Sequence, residues 1–340
     1  MRLEYELRDG TLVWIKNPHT GVVSYVVDVR GKSFAFALGE RHIPHGGQLL
    51  APEAVSHATR DCPFCPGNEA ATTQELFRIT AQEMPAWNGG VRDAPWLIRV
   101  LNNLFPRIPD ALTGGRNESY IVIEDPRHFI DAPRAPGDLM YTGALGEEHF
   151  LQLLMSDARV IRRAFENPAV RSVVIRKNQG RESGASQPHL HQQIIGSPAA
   201  LPALAAEART SREHPEFWDE LLELVERLGL MLERDGAAIS FQSPIGAFPR
   251  SYEVVMPGCR RMLHELAPDE LRSFARLLFG LLRVLGPLPL DYEIHQGEGL
   301  PIHAHVNARL YPYSNVAGTL NLPSTIFETA AAIRKALERT

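Results

Sequence analysis

The sequence predicts a mixed α+β fold built from two similar halves, and three observations carry that prediction. Short β-branched runs bounded by Pro, Gly or Asn alternate with stretches whose apolar residues recur at helical spacing. The length of 340 residues exceeds what one small core requires. An H-x-H pattern occurs twice, in PHLHQQII (188–195) and in PIHAHVNARL (301–310), each time after a Gly-bearing turn and running into β-type residues.

The elements follow in order. Residues 25–29 (YVVDV), 96–101 (WLIRVL), 120–124 (YIVIE) and 172–176 (SVVIR) read as strands. Residues 146–165 carry apolar side chains at helical spacing, as do 216–232 and 269–285. The Ala- and Pro-rich stretch 197–214 is expected to leave the first sheet for the helix that joins the halves. Residues 252–256 (YEVVM), before Pro257 and a long helix, repeat the arrangement of 120–124 before Pro126 and a helix. Two copies of one sheet-and-helix unit account for the length, with 1–200 as the first half, 201–234 as a helical connection and 235–340 as the second half.

Composition narrows the function. A formal net charge of -5 without a sustained basic run argues against a nucleic-acid partner, because phosphate backbones are gripped by clustered Lys and Arg. The N-terminus lacks the charged, apolar and small-residue order of a secretion signal, and no apolar stretch is long enough to span a membrane. A cytoplasmic protein without a membrane partner is expected. Of the three cysteines, Cys62 and Cys65 form CPFC, followed at once by Pro66-Gly67-Asn68. That turn lets two thiolates converge on one ion, which favours metal over a redox pair, with an inert pair as the remaining alternative. Cys259 has no sequence partner and reads as core.

In GASQPHLHQQIIG (184–196), side chains alternate on a strand, so His189, His191 and Gln193 share one face. One imidazole can then bind a metal while the other points at a substrate. A neutral imidazole, with an ordinary pKa of about 6.5, is a good nucleophile toward phosphorus near pH 7. The Gln193 amide can hold phosphoryl oxygens without adding charge. Gly184 and Ala185 bring backbone N–H groups close to an anion, and Ser186 adds a hydroxyl. The bland alternative is a pair of structural histidines; the nearby CxxC and the anion-friendly turn weigh against it.

With these residues in view, CPFCPGNE (62–69), RVLNNLFP (99–106), EDPRH (124–128) and KNQGRESGASQPHLHQQI (177–194) resemble successive motifs of the galactose-1-phosphate uridylyltransferase family, in the histidine-triad superfamily. The resemblance runs from about residue 50 to 315. It implies two tandem histidine-triad-like halves, each an antiparallel sheet with packed helices. It implies that His191 takes the nucleoside monophosphate of a nucleotide-activated sugar as a covalent nucleotidyl-histidine and passes it, ping-pong, to a phosphorylated acceptor. Gln193, Ser186 and Asn178 then lie on the phosphate side, and Asn102 and Asn103 near the nucleoside. It further implies a structural Zn²⁺ on Cys62, Cys65, His128 and His189, a second divalent metal on Glu207, His295, His303 and His305, and a homodimer.

The segment 317–326 departs from the family: Leu320 stands where an acid holds the acceptor's sugar hydroxyls, and Leu accepts no hydrogen bond. Galactose 1-phosphate is therefore not the expected acceptor. Leu190 replaces a common proline on the face turned away. A uridylyltransferase-like nucleotidyltransferase of carbohydrate metabolism is the expected function. The alternatives are an ADP-sugar or dinucleoside-polyphosphate phosphorylase, a hydrolase in which water resolves the intermediate, or a non-catalytic zinc-stabilised nucleotide-binding protein.

Overall fold

Asp9 and Gly10 both adopt positive φ, the conformation a tight hairpin demands, and turn β1 (Tyr5–Arg8) back onto β2 (Thr11–Lys16). The computed structural model describes residues 3–28, 51–84, 93–135, 137–297, 299–309 and 316–339; Val29, at the end of the first expected strand, lies outside them. β3 (Val23–Val27) pairs antiparallel with β2 and parallel with β14 (Thr319–Pro323), so the two ends of the described chain meet in one four-stranded sheet. Leu320 is 2% exposed in that sheet and belongs to the main core.

The remaining elements are α1 (Pro52–Arg60), β4 (Glu75–Ile79), β5 (Ile98–Asn102), α2 (Asp110–Thr113), β6 (Glu118–Ile123), α3 (Glu147–Ala164), β7 (Ser172–Gln179), β8 (His191–Ser197), α4 (Pro202–Glu213), α5 (Phe217–Arg227), β9 (Met231–Asp235), β10 (Ala238–Gln242), β11 (Ser251–Val255), α6 (Pro268–Leu285), β12 (Leu290–His295), β13 (His303–Ala308) and α7 (Ile326–Leu337). The helix expected through residue 232 ends at Arg227, because Gly229 at φ 68° turns the chain and Met231 already starts a strand. No long helix follows Pro126 directly; α3 begins only at Glu147.

The order β4-β5-β6-β8-β7 of the first half is repeated by β9-β10-β11-β13-β12 in the second, and antiparallel pairing of β7 with β12 fuses them into one ten-stranded sheet. The fold is thus α+β with two related halves, whose half-sheets are continuous. Helices α3 and α6 cover one face through Phe150, Leu154, Ile161, Phe274, Leu278 and Leu282, with Phe150 and Phe279 rings 5.5 Å apart. Gly143 lets α6 approach: a Cβ there would stand 2.5 Å from the Leu282 carbonyl oxygen. Among the described residues no helix is long and apolar enough to cross a membrane.

Register decides which side chains share the opposite face, since directly paired residues of neighbouring strands point to the same side. One row runs across six strands: Ile121, Gln193, Arg176, Glu293, His305 and Glu253. In the first half His191 lies opposite Ile123, and in the second His303 lies opposite Val255. His303 therefore takes the place of His191, and His305 that of Gln193. The two H-x-H pairs are offset by two residues in the fold, although the sequence lines them up on each other.

Candidate functional site

β8 begins at His191, so His189 precedes the strand instead of lying in it. The alternation holds from there on. Gln192 faces α3, where its amide donates to both Asp157 carboxyl oxygens at 2.7 Å and its carbonyl accepts the Tyr292 hydroxyl at 2.7 Å. His191 and Gln193 point the other way, into open cavities.

His191 Nδ1 donates to the carbonyl of His189 at 2.8 Å. A carbonyl only accepts, so the proton sits on Nδ1 and Nε2 keeps its lone pair. Burial first, then the charge of Lys177, pushes the His191 pKa down to about 4, which leaves the ring neutral near pH 7. The Phe64 ring stands edge-on at 5.3 Å. Beneath the strand, the buried Lys177 ammonium donates to the His191 carbonyl at 2.9 Å and pairs with Glu124, whose second oxygen accepts Thr142 Oγ1 at 2.9 Å.

Cys62, Cys65, His128 and His189 converge, with ligand atoms all within 4.8 Å of one another and all four residues buried. His189 Nδ1 lies 3.6 Å from Cys62 Sγ and 3.4 Å from Cys65 Sγ, and His128 Nδ1 lies 3.5 Å from Cys65 Sγ. His189 Nε2 donates to the Asp125 carbonyl at 2.8 Å, which leaves Nδ1 as the bare donor facing the sulfurs. The hydrogen bond from Cys65, then those from the two imidazoles, pull the Cys62 thiol far below its ordinary value, to about 2; that same bond and burial push Cys65 up. Two sulfurs and two imidazole nitrogens turned inward on one point fit a tetrahedral, thiophilic ion.

Glu207, His295, His303 and His305 form a second group, also within 4.8 Å. Glu207 arrives from α4, 2.7 Å from His295 Nδ1 and 3.2 Å from His305 Nε2. Burial opposes ionisation of Glu207, but the charge and hydrogen bonds of His295, with those of His303 and His305, outweigh it and hold the carboxyl far below its usual range. His303 Nδ1 donates to the Pro301 carbonyl at 2.8 Å, repeating the bond of His191 to a carbonyl two residues earlier. The short spacing from His295 to His303 is no obstacle, because the two are directly paired across β12 and β13. This set fits a harder divalent ion than the first.

Two cavities meet at His191. One, of about 170 Å³, is lined by Phe64, Asn102, Asn103, Leu104, Phe105 and Ile121, among others. Asn103 is tied inward, its amide donating to Ser119 Oγ at 3.1 Å and its carbonyl accepting the Phe105 N–H at 3.0 Å. The other, of about 430 Å³, is lined by Asn178, Gly184, Ala185, Ser186, His191 and Gln193 together with Arg107 and Arg176. Gly184, at φ 88°, turns this wall, and Asn178 accepts from Arg176 Nε at 3.0 Å and donates to the Ser183 carbonyl. Leu320 lines neither cavity; it is core. Sequence reasoning missed Arg107, Arg176, Lys177 and Phe64. Phe64, between the cysteines, and Lys177, which opens the stretch 177–194, stood inside motifs; Arg107 and Arg176 did not.

Residues 106–288, more than half of the chain, match the family described as "Domain of unknown function (DUF4921)". An ADP-glucose phosphorylase of Arabidopsis thaliana is 25% identical over 180 residues, covering 49% of this chain and 46% of that protein; the chain spans about half the length of the curated relative it matches. Among solved structures, an Arabidopsis thaliana ADP-glucose phosphorylase with bound ADP-glucose superposes with a TM-score of 0.69 at 18% identity, covering 95% of this chain and 98% of that one. A GalT-like protein from the same plant gives 0.67 at 17% identity, covering 95% and 98%. A uridylyltransferase gives 0.61 at 22% identity, covering 96% and 98%. The resemblance read from the motifs is thereby borne out in the fold. The chain belongs to the DUF4921 family, built on the fold shared by uridylyltransferases and ADP-glucose phosphorylase.

Proposed function

We propose that the chain is a nucleotidyltransferase that works through a covalent nucleotidyl-His191 intermediate. The observation that carries this reading is the geometry of His191: Nδ1 is locked to the His189 carbonyl, and Nε2, with its lone pair, faces two cavities. Attack of Nε2 on the α-phosphorus of a nucleoside diphosphate sugar forms an N–P bond and breaks the bridging P–O bond, and the sugar phosphate leaves with the electron pair. An acceptor oxygen then attacks the same phosphorus, and the N–P pair returns to Nε2. Gln193, Ser186 and the Gly184-Ala185 backbone hold the phosphoryl oxygens, Asn178 braces that wall, and Asn102 and Asn103 lie on the nucleoside side.

The donor is a nucleotide sugar. The ADP-glucose phosphorylase relative supports an adenine donor with inorganic phosphate as acceptor at least as well as a uridine donor. Cys62, Cys65, His128 and His189 would hold Zn²⁺, which ties the CPFC turn to the entry of β8 and so supplies rigidity at the nucleophile. Glu207, His295, His303 and His305 would hold a second divalent ion. The reading includes the division into halves 1–200 and 235–340 joined by 201–234, a homodimer, and a cytoplasmic setting.

The test is intact-protein mass spectrometry after incubation with UDP-, ADP-, CDP- and GDP-sugars without acceptor. The expected result is a gain of one nucleoside monophosphate from one donor, absent in His191→Ala protein whose melting curve is native. No adduct from any donor in metal-replete protein overturns the reading.

A further inference from the structure

The two cavities that meet at His191 differ in chemistry. The smaller offers an aromatic ring, aliphatic side chains and asparagine amides, which suit an uncharged ring system. The larger offers two guanidiniums, and among the described residues no carboxylate lines it. Arg176 is placed there by strand pairing, directly across from Gln193. Its side chain is 30% exposed. Nε is held by Asn178 at 3.0 Å and Nη1 by Glu293, so the fork is oriented, while Nη2 has no protein partner among the described residues. Arg107, which lines the same cavity, is exposed and makes no ion pair among the described residues. A planar guanidinium presents paired N–H donors that match the oxygens of a phosphate. Two of them beside a nucleophile and a Gly-bearing turn, with Glu293 engaging only Nη1 of Arg176 among the described residues, make a place for a dianion.

Resting on the nucleotidyl-transfer reading, we propose that Arg176, assisted by Arg107, forms the subsite of the phosphate that leaves the donor and of the phosphate that later attacks as acceptor. In a ping-pong transfer through one histidine, the departing and arriving groups occupy the same position by microscopic reversibility. A subsite with one oriented guanidinium and a second, exposed one beside it selects a phosphate dianion there, inorganic phosphate or a sugar phosphate, over water or an alcohol. The chemistry balances: the leaving phosphate keeps the pair of the broken P–O bond, the incoming phosphate oxygen supplies a pair to phosphorus, and Nε2 recovers its own, with no external proton donor or oxidant.

The test compares two donors on the full-length native, Arg176→Met and Arg107→Met proteins. One donor is ADP-glucose or UDP-glucose, whichever labels the native protein; the other is the 4-nitrophenyl ester of the same nucleoside monophosphate, whose leaving group carries no phosphate. For Arg176→Met, adduct formation from the nucleotide sugar at subsaturating donor is expected to fall about 10- to 100-fold, the range for losing a charged hydrogen-bond partner. The loss with the nitrophenyl ester should be far smaller, so the ratio of the two rates is the readout. Arg176→Lys should recover part of the loss. Arg107→Met should shift the ratio in the same direction by less; its side chain is exposed, so it carries the comparison even if Arg176→Met fails to fold. Equal losses with both donors overturn the proposal, because the arginine would then act on the transferred phosphoryl group or on the fold. Discharge of the labelled native protein by inorganic phosphate against glucose 1-phosphate identifies the source of the dianion, and discharge by water alone also overturns it. If the native protein takes label from neither donor, the nucleotidyl-transfer reading itself fails, a result distinct from the others.

Discussion

Replacing Lys177 by methionine should strip the nucleophile strand of its buried support. Lys177 is 1% exposed and Glu124 fully buried, and the ammonium bridges the Glu124 carboxylate and the His191 carbonyl. Removing one member of such a pair leaves an uncompensated buried charge, a cost of about 3–5 kcal/mol. Lys177→Met and Glu124→Leu should each destabilise by that amount. The double variant has no stranded charge; it leaves only the Thr142 hydroxyl and the His191 carbonyl short of a partner, at about 1–3 kcal/mol each. The double-mutant cycle, read by equilibrium urea denaturation, should therefore give a coupling of about 4 kcal/mol at the middle of these ranges. Additive single effects, or a cost below about 1 kcal/mol for Lys177→Met, would falsify the claim that these two groups form a satisfied buried pair. Because the double variant restores charge balance without the bond to His191, its rate of nucleotidyl-adduct formation should stay below native even where its stability recovers.

Metal content should separate the two clusters. Elemental analysis of purified protein is expected to find zinc that Cys65→Ser abolishes with a lowered melting temperature, while Glu207→Ala keeps it and loses only a second divalent ion; unchanged metal in both variants refutes the assignments. Asp157 offers a pH test. Burial, helped by Glu124 and opposed by the Gln192 hydrogen bond, raises its carboxyl well above the ordinary 3.8. A carboxyl with a raised folded pKa contributes stability that is full below about pH 4 and is lost as pH climbs toward the folded value. Asp157→Asn lacks that dependence, so its stability relative to native protein should rise as pH increases from about 4; parallel stability–pH curves would contradict the assignment.

Some of the site was legible because it is local. His191 and Gln193 share a face since side chains alternate on any strand, whatever the strand pairs with. CPFC turns on itself because of the Pro-Gly-Asn that follows. The long helices α3 and α6 declared themselves by period, since an amphipathic helix must bury one stripe. The end of α5 was misread because a glycine turn and a following apolar strand continue a helical pattern on paper.

What the sequence by itself determined, then, was the class of fold and the chemistry within a few residues of each motif, because backbone geometry and side-chain period act locally. Only the tertiary structure decided which distant residues meet. Pairing of β7 with β8 set Arg176 beside Gln193, and pairing with β12 set it against Glu293, joining the two halves of the sheet. Lys177 and Glu124 each open a motif, but nothing in the sequence shows that they are buried together, because different strand connections supply them. The offset between the two H-x-H pairs follows from strand register, which the sequence similarity of the halves does not encode. These are long-range contacts, made where burial of the whole sheet outweighs the preferences of any one segment.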